Sequence, residues 1–253
     1  ALDTAIAEKQ AEATRLLRLY ALSDAVKDRF WANLDTTYFL RHDAQEIAWQ
    51  TRNLHYRVDS AIPVARARLA PFGEGLQVMI YTPDREALFA RICGYFERSG
   101  FNIVEAKIHT TRNSYALDTF MVMGKGPGAH YRDLMALIES ELARELQSQA
   151  PLPPPGGGRV SRRVRHFPIP PAVDIRPDER GAYHSLNIVA SDRPGLLYSV
   201  ARRLASYHLN LHSAKITTLG DRAEDVFLVS GPALADSKAV LKLEQELLAE
   251  LQI

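Results

Sequence analysis

The sequence predicts an α+β protein in which two tandem βαββαβ sandwiches follow a helical segment, the second sandwich lacking its last strand. Three observations predict it. The chain repeats itself at an offset of 108 residues, each repeat carries one strongly amphipathic helix between strand-like runs, and residues 1–60 read as helix alone.

The repeat is the strongest signal. Asp84-Arg85 in "YTPDREALFARICGYFERSGFNIVEAKIHTT" aligns with Asp192-Arg193 in "ASDRPGLLYSVARRLASYHLNLHSAKITT". Leu88 then meets Leu196, Asn102 meets Asn210, and Ala106–Ile108 meets the same three residues at Ala214–Ile216. With one residue skipped in a turn, Asp118, Phe120 and Val122 meet Asp225, Phe227 and Val229. Upstream, Pro63, Arg68 and Gly73 meet Pro171, Arg176 and Gly181. Identities that hold register through helix, strand and turn mark a duplication.

The elements follow in order. The opening "ALDTAIAEKQAEATRLL" reads as the middle of a helix without a start signal. Residues 1–60 are therefore expected to be a connecting segment, the end of a truncated upstream domain, packed on the first sandwich or on a neighbouring chain. In "HDAQEIAWQTRNLHYRV", Asp43 precedes Glu46 at capping-box spacing, with Ile47, Leu54 and Val58 facing inward. "LQVMIYT" and "HSLNIVAS" read as first strands. Asp84 and Asp192 are helix-capping types, and Pro194 suits a first helical turn. Apolar residues at Leu88, Phe89, Ile92, Cys93 and Phe96, and at Leu196, Leu197, Val200, Ala201 and Leu204, give each helix one buried stripe.

Second strands follow at "NIVEAKIHTT" and "NLHSAKITTL", turns at "RNS" and "GDR", and third strands at "ALDTFMVMG" and "EDVFLVSG". Helices over Tyr131–Gln147 and Asp236–Leu251 close the units. "RVSRRVRHF" (Arg159–Phe167) is the available fourth strand of the first unit, whereas the second must stay short or borrow the preceding "AVDIRP". The order is that of a ferredoxin-like sandwich, with units at 61–170 and 171–253. "QAPLPPPGGG" (Gln149–Gly158) reads as a loop. Open strand edges predict that the two sheets pair, within the chain or between chains.

Bulk composition narrows the function classes. The 253 residues are 46% hydrophobic and 24% charged, with a formal charge of +1 that calls for neither nucleic acid nor an anionic membrane as partner. A single cysteine, Cys93, excludes an internal disulfide framework and fits a reduced, cytoplasmic setting. His42-Asp43 could begin a metal site, but no further ligands stand at suitable spacing, and the capping role explains Asp43 better. Ser185, Ser191, Ser199 and Ser213 lack a nucleophile-elbow context, and Gly156–Gly158 precedes a basic run rather than a helix. No catalytic residue, metal ligand or cofactor motif is assigned. An RNA-recognition reading of the same topology fails because "DTFMVM" and "DVFLVS" hold one aromatic each and no basic residue.

The loops "DREA" and "DRPG" remain. A turn entering a helix presents unpaired N–H groups that suit a carboxylate. An asparagine such as Asn102 or Asn210, opening the adjoining strand, can donate and accept. The candidate ligand-binding residues are Asp192, Arg193, Pro194, Gly195, Leu196 and Asn210 in the second unit, and Asp84, Arg85, Glu86 and Asn102 in the first. The second unit is expected to be the better site. Its Gly195 leaves room for close approach, whereas Glu86 would repel a ligand carboxylate.

"DRPGLL…A…LN…AKI.T…DVF.V" resembles the ACT domain, a small-molecule-binding regulatory fold. "YFLRHDAQEIAWQTR", "YTPDREALFARI", "RHFPIP", "DIRPDERG" and "SDRPGLLYSVARRLA…ITTLGDRAEDVFLVSG" resemble, in order, the C-terminal region of the bifunctional uridylyltransferase/uridylyl-removing enzyme family. That resemblance implies paired ACT domains that sense glutamine and regulate two activities toward PII signalling proteins. It also implies a divalent metal such as Mg in the parent enzyme rather than in this segment. Glu86-Ala87 in place of Pro-Gly departs from the motif and predicts unequal binding by the two units.

Overall fold

The computed structural model describes residues 1–124, 130–156 and 162–252. Four helices come first: α1 (Leu2–Arg18), α2 (Asp28–Trp31), α3 (Thr36–Arg41) and α4 (Ala44–Leu54). The first repeat runs β1 (Val64–Leu69), β2 (Leu76–Pro83), α5 (Leu88–Arg98), β3 (Phe101–Lys107), β4 (Tyr115–Gly124) and α6 (Tyr131–Gln147). A short helix, α7 (Arg162–His166), leads to the second repeat. That repeat runs β5 (Ala172–Pro177), β6 (His184–Ser191), α8 (Leu196–Ser206), β7 (Asn210–Leu219), β8 (Arg222–Ser230) and α9 (Ser237–Leu251).

All eight strands form one antiparallel sheet in the order β1-β2-β4-β3-β7-β8-β6-β5. The seam between repeats is the β3–β7 pair, in register at Ala106 and Ala214, the centre of the shared "AKI" triplet. Pairing two edges hides the backbone groups that each unit would otherwise expose. Each inner strand also carries a bulge at the matching place, Ile103/Glu105 and Leu211/Ser213.

The expected fourth strand at Arg159–Phe167 is not formed. Residues 162–166 are helical, and 159–161 lie outside the described residues. The place beside β2 is already taken by β1, so each sandwich is completed from its front rather than its end. "AVDIRP" does the same for the second unit as β5.

Helices α6, α5, α8 and α9 cover one face of the sheet over a continuous core that includes Phe96, Phe120, Phe227 and Leu247. The N-terminal helices cover the opposite face of the first repeat through Phe30, Tyr38 and Ile47 against Met79, Tyr81 and Leu117. Asp43 caps α4 by accepting the Glu46 N–H at 2.8 Å. The Glu46 carboxylate does not close the capping box but turns inward to Lys107, 3.0 Å away. Buried polar links continue this interface: Tyr38 donates to Gln50, whose amide donates to Thr119 at 3.0 Å. Burial on both faces explains why "LQVMIYT" is an almost unbroken apolar run. In β6 the deeply buried apolar residues are Leu186, Ile188 and Ala190, and the strand alternates.

Candidate functional site

"DRPG" is a turn motif. Leu196 N–H reaches Arg193 O at 3.3 Å across Pro194 and Gly195, and Gly195 sits at φ 82°, ψ −2°, the type II arrangement. Gly195 is the N-cap of α8; its counterpart Ala87, at φ 61°, is the N-cap of α5. Asp84 and Asp192 therefore do not cap helices, and Pro194 precedes the first helical turn. Both aspartates instead accept the backbone N–H of the arginine that follows. The first intrahelical bonds are Arg91 N–H to Ala87 O and Ser199 N–H to Gly195 O. First-turn amides such as those of Phe89 and Ala90 have no helical carbonyl within reach.

Arg85 and Arg193 are committed elsewhere. Arg85 donates to Ser148 O at 3.0 Å, just beyond α6, and Arg193 donates to Glu250 O in the last turn of α9. Each guanidinium thus ties a loop to the negative end of its own unit's closing helix.

The two loops open onto separate cavities, and each cavity is built by both repeats. The first, of about 480 Å³, joins Asp84–Ala90 and Asp118 of the first repeat to Ala201, Ala205, His208 and Asn210 of the second. The second, of about 270 Å³, joins Asp192–Tyr198 and Asp225 of the second repeat to Cys93, Glu97 and Asn102 of the first. The pairing of Asn210 with the Asp192–Leu196 loop is corrected here: Asn210 shares a cavity with Asp84, Arg85 and Glu86, and Asn102 shares one with Asp192. Sheet pairing through β3 and β7 crosses the two strands over, which no intra-repeat spacing reveals.

Each cavity has a buried carboxylate that motif reading did not select. Asp118 lies between Ala116 and Phe120 on the face beneath α5, and burial, reinforced by Asp84, pushes its pKa up to about 8. Asp225 occupies the matching place, pushed up to about 7 by burial and by Asp192. Each retains one backbone donor, His109 N–H at 3.2 Å and Thr217 N–H at 3.3 Å. Their signal was present in the repeat: Asp118 and Asp225 stand in register, each at alternate spacing with residues of the buried face, Ala116 and Phe120 or Ala223 and Phe227. Strongly displaced carboxyl groups inside cavities are marks of binding sites.

The cavities differ at their walls. Glu86 does not point a free carboxylate at the first cavity; it pairs with His208 across the repeats, at an exposed position. In the second cavity Glu97 occupies the wall where the first has Ala205. The N-terminal segment meets the backbone of the first cavity's wall: Arg41 donates to Ile108 O at 2.8 Å and to His212 O at 3.5 Å, and Ile108 and His212 line that cavity. Among the described residues no group of three or more His, Cys, Asp or Glu is placed to hold a metal ion, and no helix is long and apolar enough to cross a membrane.

Residues 184–249 match the ACT domain model, and residues 1–53 match the model described as uridylyltransferase GlnD fifth domain. The bifunctional uridylyltransferase/uridylyl-removing enzyme of Cupriavidus pinatubonensis is 54% identical over 98% of this chain. Those of Ralstonia nicotianae and Aromatoleum aromaticum are 53% and 50% identical, each over 97% of it. By this likeness the chain belongs to the ACT-bearing C-terminal region of that family. The chain spans 29% of the length of the Cupriavidus pinatubonensis and Ralstonia nicotianae relatives. The ACT match falls on the second repeat, and the first reproduces its strand order.

Proposed function

We propose that this chain is the regulatory, amino-acid-sensing module of a PII-protein uridylyltransferase/uridylyl-removing enzyme, and that its ligand is glutamine. The observation that carries the reading is the first cavity. It combines two carboxylates, Asp84 and Asp118, with the first-turn amides of α5 and the side-chain amide of Asn210. An α-ammonium group suits the carboxylates, an α-carboxylate suits the amides, and a ligand amide suits an asparagine that both donates and accepts. A volume of about 480 Å³ falls in the small-molecule range of roughly 300–1,000 Å³, whereas about 270 Å³ falls below it.

Ligand in this cavity binds both repeats at once and abuts the seam that Arg41 bridges to the N-terminal helices. Glutamine would thereby bias the parent's two activities toward PII, whose nucleotide chemistry is served by a divalent metal in the parent enzyme. Calorimetric titration with a panel of amino acids tests the reading. Glutamine should bind, and glutamate should bind more weakly because its second carboxylate only accepts, so Asn210 loses the donor that a ligand amide supplies. Binding of a different amino acid in preference would keep the ACT-type module and discard glutamine; no binding by any would discard amino-acid sensing.

A further inference from the structure

The two turns that resemble each other most in backbone differ in what lies against them. A methyl group placed on Gly195 would come within 2.8 Å of Glu97 Oε1 and within 3.4 Å of Gly156 O. The room that glycine leaves at "DRPG" is therefore used by the chain itself: the Glu97 carboxylate, reaching across from α5, lies against the backbone of the turn. The linker after α6 helps to close the same place. Leu152 packs on the core, Tyr198 donates to Pro153 O at 2.5 Å, and Gly156 stands beside both Glu97 and Gly195.

The substitution pattern between repeats is reciprocal. Where the second turn has Gly195, the first has Ala87; where the helix facing the second turn has Glu97, the helix facing the first has Ala205. A glycine is paired with the intruding carboxylate, and an alanine with the open wall. Close approach to backbone is the use that glycine serves, and here it admits a side chain of the same molecule.

We propose that Glu97 is a built-in occupant of the second cavity: its carboxylate takes the place that a ligand's carboxylate would take over the Gly195 turn. Of these two cavities, the first is the one left open. The proposal rests on the amino-acid reading for the identity of the excluded ligand, but not for the occupancy itself.

Two titrations of the full chain separate these. In the first, acetate is added while the Gly195 and Leu196 amide resonances are followed. Glu97→Ala should show saturable shifts, the added anion replacing the missing carboxylate, whereas wild type and Glu97→Gln, which still fill the space, should show none. Equal shifts in wild type, or none in Glu97→Ala, would overturn the proposal. In the second, calorimetry with glutamine should give one equivalent per wild-type chain and two for Glu97→Ala. Two equivalents in wild type, or only one in Glu97→Ala, would also overturn it. If glutamine binds none of the three while acetate behaves as expected, the glutamine reading fails and Glu97 stands as the internal occupant.

Discussion

Asp118 shows how one residue carries two consequences of burial. Its proton stays on up to about pH 8 in the folded chain and leaves near the ordinary 3.8 when unfolded. The folded state therefore holds the extra proton between those values, and stability falls as pH rises from about 4 to 8. Asp118→Asn should flatten that slope, read as the difference between urea midpoints at pH 5 and pH 8; Asp225, raised in both proteins, cancels from the comparison. An unaltered pH dependence would contradict the assignment. A ligand ammonium needs the ionised form, so wild-type affinity for glutamine should rise toward pH 8. Asp118→Asn should lose about 1.5–3 kcal/mol, the worth of a hydrogen bond to a charged group, or roughly 10- to 150-fold. Asn210 lies at the exposed rim, so its loss is smaller: Asn210→Ala should weaken binding by about 0.5–1.5 kcal/mol, roughly 2- to 13-fold. Asn102→Ala, in the other cavity, should leave affinity unchanged. Calorimetry on both variants decides whether the crossed assignment holds, and a larger loss in Asn102→Ala would reverse it.

At the scale of elements, the contact between α5 and α8 matters most, because these two helices carry the walls of both cavities. It is tight at Gly94, where an added methyl would lie 2.7 Å from Tyr198 Cε1. Two opposing effects meet in Gly94→Ala. Alanine in a helix interior gains up to about 1 kcal/mol over glycine. Overpacking against a ring whose hydroxyl is already held by Pro153 costs roughly 1–3 kcal/mol. The clash should win, giving a net loss of stability in denaturant titration together with loosening of the 149–156 linker toward proteases. A variant as stable as wild type would mean that α5 and α8 separate without cost.

At the scale of the whole molecule, the asymmetric placement of the N-terminal helices decides which cavity reports to the rest of the chain. They cover the first repeat only, and Arg41 joins them to the carbonyls of Ile108 and His212 at the seam. Arg41→Met keeps the length of the stem and removes the donor. Hydrogen exchange in α3 and α4 should respond to glutamine in wild type and lose that response in the variant. Affinity should change by no more than about 150-fold, since couplings of this kind are worth about 1–3 kcal/mol. An undiminished response in the variant would mean that the ligand acts on the helices by another route.

The sequence by itself determined the duplication, the α+β class, the paired helices of each repeat and the presence of a turn before the first of them, because these depend on spacing and local conformation. Asp43 at the start of α4 and the Pro-Gly turn before α8 are legible for that reason. It also held two clues that only the structure makes plain. Asp118 and Asp225 stand in register on the buried face of their strands, and the almost unbroken apolar run of β2 differs from the alternation of β6 because only the first is covered on both faces. Tertiary structure alone decided that β1 and β5 complete the sandwiches, that Asn210 serves the first cavity and Asn102 the second, and that Glu97 fills the space beside Gly195. The last two follow from which strand edges and helices meet across the seam. Those meetings join residues far apart in sequence, as Ala106 and Ala214 are, where no local pattern reaches.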